Sequence, residues 1–327
     1  MALPRGLLEG LQQGSAAEAW QAIADFAWEV CAAPITPAEV HKLPRRDQAV
    51  GEIDLVLATG AWELWEEFRS SVPRTADVLA DWWAAQTGGR AVLILDGLSL
   101  RELPWLLQGA QERGFTIHQA RATAAELPAD TTPFAKALGF GQRSALENNG
   151  GGGTHRLAGA RTETTHLPWK DVAGWVGAEP HWALWHHWPD TRIHDLASAG
   201  PGLALLSAEA AQQLTSDDFW TLVARLAHGR RLVITADHGY AASGQFPDAI
   251  GEQAKYLKDT YKSARSTGGG DPGDSPFLPP IDLRLDGHRF VLGRRKWPSQ
   301  GGYPVLAHGG LSVLEVLVPF IELSRVA

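Results

Sequence analysis

The stretch Leu232-Val-Ile-Thr-Ala-Asp237-His238-Gly239 constrains the fold more than any other. Five apolar or β-branched residues follow Arg230-Arg231 and stop abruptly at an acid and an imidazole, the pattern of a buried parallel strand. Ligands of open α/β sheets collect at the carboxyl ends of such strands, so Asp237 and His238 are expected at the mouth of a site. Both side chains can reach one divalent ion if the backbone turns after them, which Gly239 allows. A second run, Ala91-Val-Leu-Ile-Leu95, ends in the same way at Asp96-Gly97. Helix is expected from Leu103 to Glu112, capped by Gly114, and strand from Phe115 to Gln119, which together read as a βαβ unit. Two strand-end acids in one sheet then face the same rim.

Composition narrows the class. A chain of 327 residues with 44% hydrophobic content suits one large α/β domain with an additional subdomain. The single cysteine, Cys31, excludes a disulfide framework and a Cys-rich zinc module. No signal-like apolar core opens the sequence and no run of eighteen apolar residues occurs, so a soluble, cytoplasmic protein without membrane contact is expected. A net charge of −8 argues against a broad electrostatic surface for nucleic acid, although local basic patches remain compatible with it. Residues 1–88 read as a helical N-terminal region. Ser15 and Glu18 have capping-box spacing, and Trp20, Ile23, Ala24, Ala27, Trp28 and Cys31 recur at helical period behind them. The 14 tryptophans of the chain are read as large fillers of such helical cores rather than as a base-stacking platform.

Further along, Thr131-Thr132-Pro133-Phe134-Ala-Lys136 reads as a helix start, with Thr132 at the N-cap and Pro133 at the first helical position. A hydroxyl there lies among unpaired amides that welcome an anion. Gly150 to Gly153 forms a loop without the Lys-Ser/Thr of a phosphate-binding P-loop. His181 to Trp188 reads as a strand, with His186 and His187 taken as structural. Asp190 and His194, four apart, share one face of a helical turn and can hold one cation. Helix follows Thr215-Ser216, a helical or mobile excursion runs from Phe246 to Tyr261, and Ser266 to Pro280 is a surface loop. A hairpin turns at Asp286-Gly287. Arg294, Arg295 and Lys296 after it are either contacts for a strand's phosphates or a solvated face. His308 precedes two glycines and an apolar strand that closes the sequence.

The order of these groups resembles the alkaline phosphatase superfamily, in which two metal ions flank a Ser or Thr nucleophile. The closing His308-Gly-Gly-Leu-Ser-Val-Leu-Glu-Val-Leu-Val-Pro319, with Leu95-Asp96-Gly-Leu98 and Thr132-Pro-Phe-Ala-Lys136, resembles the PglZ branch in particular. The resemblance implies an α/β fold, an alkaline phosphatase-like core with a mainly parallel sheet flanked by helices, as a catalytic domain over residues 89–327. It assigns Asp96, Asp237 and His238 to one metal and Asp190, His194 and His308 to the other. Thr132 is the implied nucleophile, with Thr131 and Ser99 as alternatives, and Lys136 and Arg101 are candidate substrate contacts. Zinc suits an Asp/His ligand set without thiolates, with manganese or magnesium as alternatives. The implied activity is a two-metal phosphodiesterase or nuclease acting on oligonucleotides, in bacterial phage defence. The alternatives are a defence-complex scaffold or binding subunit with little turnover, and a phosphomonoesterase. Diesters are expected over monoesters because neither Lys136 nor Arg101 offers a well-placed cationic fork for a dianion.

Overall fold

The computed structural model describes residues 3–150, 153–198, 200–268 and 274–325. Helices α1 (Arg5–Gln13), α2 (Ala16–Ala32), α3 (Leu43–Thr59), α4 (Phe68–Ser71) and α5 (Thr75–Ala85) make up the amino-terminal region. Ser15 and Glu18 form the expected capping box of α2. A six-stranded sheet follows, assembled from β1 (Gly89–Leu95), β2 (Thr116–Ala124), β3 (Arg161–Thr165), β4 (His181–His186), β5 (Arg230–Thr235) and, from near the end of the chain, β9 (Leu317–Ser324). Its order is β2-β9-β5-β1-β4-β3, and β9 alone runs antiparallel to its neighbours. The chain is thus a mixed α/β protein with a mostly parallel central sheet. The expected βαβ unit is corrected in one respect: β5 and β9 lie between β1 and β2, so the two strands share a direction without touching.

Helices α6 (Leu103–Glu112), α7 (Thr131–Ala137), α8 (Trp169–Ala173), α9 (Asp190–Asp195), α10 (Leu203–Thr215), α11 (Asp217–Ala227), α12 (Gly251–Tyr261) and α13 (Val313–Val316) complete the described helical elements of α type. Side chains of a strand alternate between its faces, so β1 serves two cores at once. Ala91, Leu93 and Leu95 pack with Trp20, Ile23, Leu106, Phe219 and Leu222 on one face. Val92 and Ile94 pack with Leu79, Trp83, Phe134, Leu138 and Trp185 on the other. Helices of residues 1–88 therefore contribute to both apolar layers that cover the sheet. Trp20, Trp65, Trp83, Trp105, Trp182, Trp185 and Trp297 are fully buried, the filler role expected of them.

A small sheet, β6 (Ser266–Gly268), β8 (His288–Val291) and β7 (Asp282–Leu285), stands apart from the main one. The hairpin at Asp286-Gly287 is present, both residues having positive φ. Ser266–Gly268, expected in a loop, pairs with β8 instead. The remainder of the proposed loop includes residues 269–273, which lie outside the described residues, as do Gly151 and Gly152 of the glycine run.

Candidate metal centre

The polar groups singled out in the sequence gather where β1, β4 and β5 end. Asp96 follows β1, Asp237-His238 follows β5, and the turn after β4 delivers Asp190 at the start of α9. Backbone bonds lock these ends together: Asp96 N–H donates to the His186 carbonyl at 2.9 Å, and Asp190 N–H donates to the Asp96 carbonyl at 2.8 Å. Gly97 N–H donates to Asp237 Oδ1 at 2.9 Å. Gly97 has φ +74°, and a Cβ there would meet Asp190 Cβ at 3.2 Å. Gly239 is needed for close approach rather than for an unusual turn, because a Cβ would stand 2.2 Å from the Leu314 carbonyl oxygen.

Ligand-type atoms face one another here at spacings too long for hydrogen bonds between good partners. His194 Nε2 stands 3.4 Å from Asp190 Oδ2, and His308 Nε2 stands 3.7 Å from Asp190 Oδ1. The two imidazoles, His194 and His308, are 3.5 Å apart at Nε2. His238 Nε2 lies 3.5 Å from both Asp96 Oδ1 and Asp237 Oδ2. Two atoms that each bind a tetrahedral zinc ion at about 2.0–2.2 Å are separated by roughly 3.3–3.6 Å, so this spacing is that of ligands around an ion. Buried Asp190 Oδ1, Asp237 Oδ2 and His238 Nε2 have no hydrogen-bond partner, which is costly unless something else binds them. The residues present fit divalent metal.

Two compact groups emerge, Asp190-His194-His308 and Asp96-Asp190-His238. The first is the set expected for one ion. In the second, Asp190 belongs to both groups and Asp237 stands beside His238 outside the tightest three. The imidazoles are oriented from behind. His238 Nδ1–H donates to the Gly239 carbonyl at 2.8 Å and His308 Nδ1–H to the Ala129 carbonyl at 3.2 Å. A carbonyl can only accept, so each Nε2 is left with its lone pair toward the cluster.

Without metal, the crowded acids and imidazoles share protons. Burial, and then the charge of Asp96, push the Asp237 carboxyl well above the usual range. Burial opposes a charge on His238, yet Asp237, Asp96 and Asp190 raise it well above an ordinary histidine. Burial would also raise Asp190, but His194, His238 and His308 pull it down to about 2. His308 is lowered by burial and by the neighbouring His238.

Asp190, His194 and His308 line a cleft of about 730 Å³, whereas Asp96, Asp237 and His238 are fully buried and do not reach its surface. Thr131 Oγ1 donates to Asp96 Oδ1 at 3.2 Å, and the Arg143 guanidinium pairs with Asp96 Oδ2. The helix expected here begins two residues earlier than its composition suggests. Asp130, extended at φ −154° and ψ 159°, holds the N-cap position, so Thr131 is the first helical residue and Thr132 the second. Thr132 lines the cleft but is exposed. Ser99 is buried, caps the short 3-10 turn Leu100–Glu102 and does not line the cleft.

Five expected contacts lie elsewhere. Arg101 is buried beneath the rim, paired with Asp47 and donating to the Tyr240 carbonyl at 2.7 Å, and Lys136 is an exposed residue that does not line the cleft. Arg294 is tied to Asp47 and Asp54 at 2.5 and 2.7 Å. Arg295 donates to the Leu292 carbonyl and Lys296 to that of Gly244, so the basic trio largely braces the chain to itself. Conversely, His187 lines the cleft, accepts from or donates to Thr164 Oγ1 at 3.0 Å, and is driven down to about 4 by burial and by Arg143. His187 and Arg143 are the residues that sequence reasoning missed. The one available signal was the glycine-flanked turn at Gly139 and Gly141, which throws Arg143 back toward the rim.

A second hollow of about 690 Å³, lined by Arg113, Phe115, Trp220, Arg225 and Arg325, lies where β2 begins and β9 ends, at the opposite rim, and holds none of these acids. Among the described residues, no helix is long and apolar enough to cross a membrane.

No protein-family model matches the chain. No curated protein matches it either. Among solved structures, it is similar to murine ectonucleotide pyrophosphatase/phosphodiesterase 5, in an inactive variant in complex with AMP, with 11% identity and a TM-score of 0.43. The same murine protein without that substitution gives 12% and 0.42, and the human protein 11% and 0.39. Each match covers 73% of this chain and 88% of the other.

Proposed function

We propose that this chain is a metal-dependent phosphoric ester hydrolase of the alkaline phosphatase type, acting on phosphodiesters through a threonine nucleophile. The observation that carries the reading is the spacing of Asp190, His194, His308, Asp96 and His238, 3.4 to 3.7 Å between facing ligand atoms, beside the Thr131 hydroxyl. Asp190, His194 and His308 are the ligands for one ion, and Asp96, His238 and Asp237 those for a second, with Asp190 near both. Zinc is the proposed metal, since the donors are carboxylates and imidazoles alone. Such ions supply Lewis acidity, easing deprotonation of the attacking hydroxyl and stabilising the departing oxygen.

Thr131 replaces Thr132 as the proposed nucleophile because its hydroxyl meets Asp96, whereas Thr132 is exposed on the next helical position. Its Oγ forms a bond to phosphorus as the ester oxygen leaves as an alcohol, and water then releases the phosphoryl group from the threonine. Diesters suit the cleft because it continues past the cluster to Leu167 and Trp175, exposed by 37% and 40%, where a second organic group can lie. The PglZ-like closing motif extends the proposal to an oligonucleotide substrate and to partner subunits of a phage-defence complex.

The test is hydrolysis of bis-nitrophenyl phosphate by zinc- or manganese-loaded protein. Turnover lost in Thr131→Ala and largely kept in Thr132→Ala supports the assignment. The reverse result returns the role to Thr132. Metal bound with no turnover of any ester favours a binding subunit.

A further inference from the structure

At the rim opposite the metal centre, three guanidiniums from three separate elements converge on the hollow of about 690 Å³. Arg113 comes from the turn between α6 and β2, Arg225 from the last turn of α11, and Arg325 from the residue that follows β9. The floor is aromatic. Trp220 and Phe115, both buried, meet with ring centroids 5.5 Å apart. Arg113 lies over the Trp220 ring at 5.2 Å and Arg325 over the Phe115 ring at 5.4 Å. Arg113 is fixed in place, because it also donates to the Thr215 carbonyl at 3.0 Å and to Asp217 Oδ1 at 3.2 Å. Arg225 and Arg325 are exposed and, among the described residues, have no carboxylate partner.

Asp217 is the one acid among the described residues lining the hollow, and its side chain is 98% exposed. It balances one guanidinium of the three, so an excess of positive charge is left here on a chain whose overall charge is −8. Converging arginines repel one another unless an anion lies between them. The volume falls within the roughly 300–1,000 Å³ of sites for small molecules. Each guanidinium can grip two oxygens of a phosphate or carboxylate, and rings that already hold two of the forks lower the cost of ordering them around a ligand.

We propose that this hollow binds an organic polyanion, a small molecule with two or more phosphate or carboxylate groups on a planar or apolar body. Arg113, Arg225 and Arg325 hold the anionic groups, and the body packs on Phe115 and Trp220. The site is separate from the metal centre and independent of the hydrolase reading.

The test is calorimetry on the metal-free full chain, in which the acids of the metal centre repel anions. The probes are ATP, benzene-1,3,5-tricarboxylate and inorganic triphosphate. ATP or the tricarboxylate binds about tenfold more tightly than triphosphate, which has charge but no body to pack on the rings. The tighter of the two organic probes identifies the anionic group as phosphate or carboxylate, and either result supports the site. Arg225→Ala and Arg325→Ala, which remove exposed side chains, each weaken binding about tenfold, the scale of a lost charge-assisted bond. Asp190→Asn leaves it unchanged. No binding of either organic probe at millimolar concentration, or equal affinity in wild type and the Arg225→Ala, Arg325→Ala double variant, overturns the proposal. So does tighter binding of a polyglutamate peptide than of ATP and the tricarboxylate, which would make this face a docking surface for an acidic protein.

Discussion

Two buried charged clusters sit one above the other in this protein, and they are built on opposite rules. The lower one joins helix α3 to the loops under the rim. Asp47 pairs with Arg101 and Arg294, and Asp54 pairs with Arg294 and accepts from Val313 N–H at 2.7 Å. Glu315 accepts from Arg265 at 2.7 and 2.8 Å, from Gly310 N–H at 2.9 Å and from Ser312 Oγ at 2.6 Å. These carboxylates are enclosed by donors. At the rim, by contrast, Asp190, Asp237 and His238 each keep a buried ligand atom with no partner. A buried charge that is fully paired shapes a fold; one left open is kept for something that binds. The lower cluster also gives the helical N-terminal region a physical task. Through Arg101 it holds the Tyr240 carbonyl, two residues past His238, and through Asp54 it anchors the segment after His308.

The comparison breaks most sharply at Thr131. Thr131→Ala is expected to abolish turnover with zinc content unchanged, since the hydroxyl is the proposed nucleophile while its bond to Asp96 contributes only about 1 kcal/mol of stability. Steady-state kinetics with elemental analysis on one preparation decide it. Next comes the lower cluster. Glu315→Ala leaves the Arg265 guanidinium buried and uncompensated and is expected to cost about 3–5 kcal/mol in urea unfolding of metal-free protein. An effect below about 1 kcal/mol would mean the network is not what holds the His308 loop.

Smaller and opposite in sign is Asp237→Asn. Removing a buried, ill-paired acid is expected to stabilise the metal-free protein by about 1–2 kcal/mol while weakening zinc binding. Loss of stability together with unchanged zinc affinity would reverse the roles given to the two clusters. The two also respond oppositely to acid. Burial would raise the Glu315 carboxyl, but Arg265 and the surrounding donors hold it below its ordinary value. Its contribution is therefore present above the unfolded pKa and lost as pH falls through the folded one. Asp237 is raised, so its contribution is present at low pH and lost as pH rises through its folded value. The stability gap between wild type and Glu315→Gln should shrink from about pH 6 to pH 3, while that between Asp237→Asn and wild type should widen as pH rises over the same range.

What the sequence disclosed and what it hid follow the same division. Strands that end in acids are local patterns, so Asp96, Asp237 and His238 were legible, as was the Asp190–His194 spacing within one helical turn. The helix start was misplaced by two positions because a Thr-Thr-Pro start does not say which residue keeps extended backbone, and Asp130 does. Arg101 and the Arg294 to Lys296 run looked like surface or substrate charges because their partners are remote. Arg101 meets a carboxylate 54 positions away and Arg294 one 247 positions away. His187 carries no local signature, and Arg143 only the glycines at 139 and 141 before it. Their place in the cleft is set by where a 3-10 segment and the end of β4 meet, which is a property of tertiary packing.

The central claim is that the open ligand atoms at the rim hold metal, and the most direct test is zinc content with unfolding before and after chelation. Close to two zinc ions per chain are expected, with a gain of about 2.7 kcal/mol in stability for each site at a free zinc concentration of 100 times Kd. Asp190→Asn, which touches both groups, should lose most of this stabilisation. A protein that binds no zinc, manganese or magnesium on titration, with a melting temperature indifferent to all three, would contradict it.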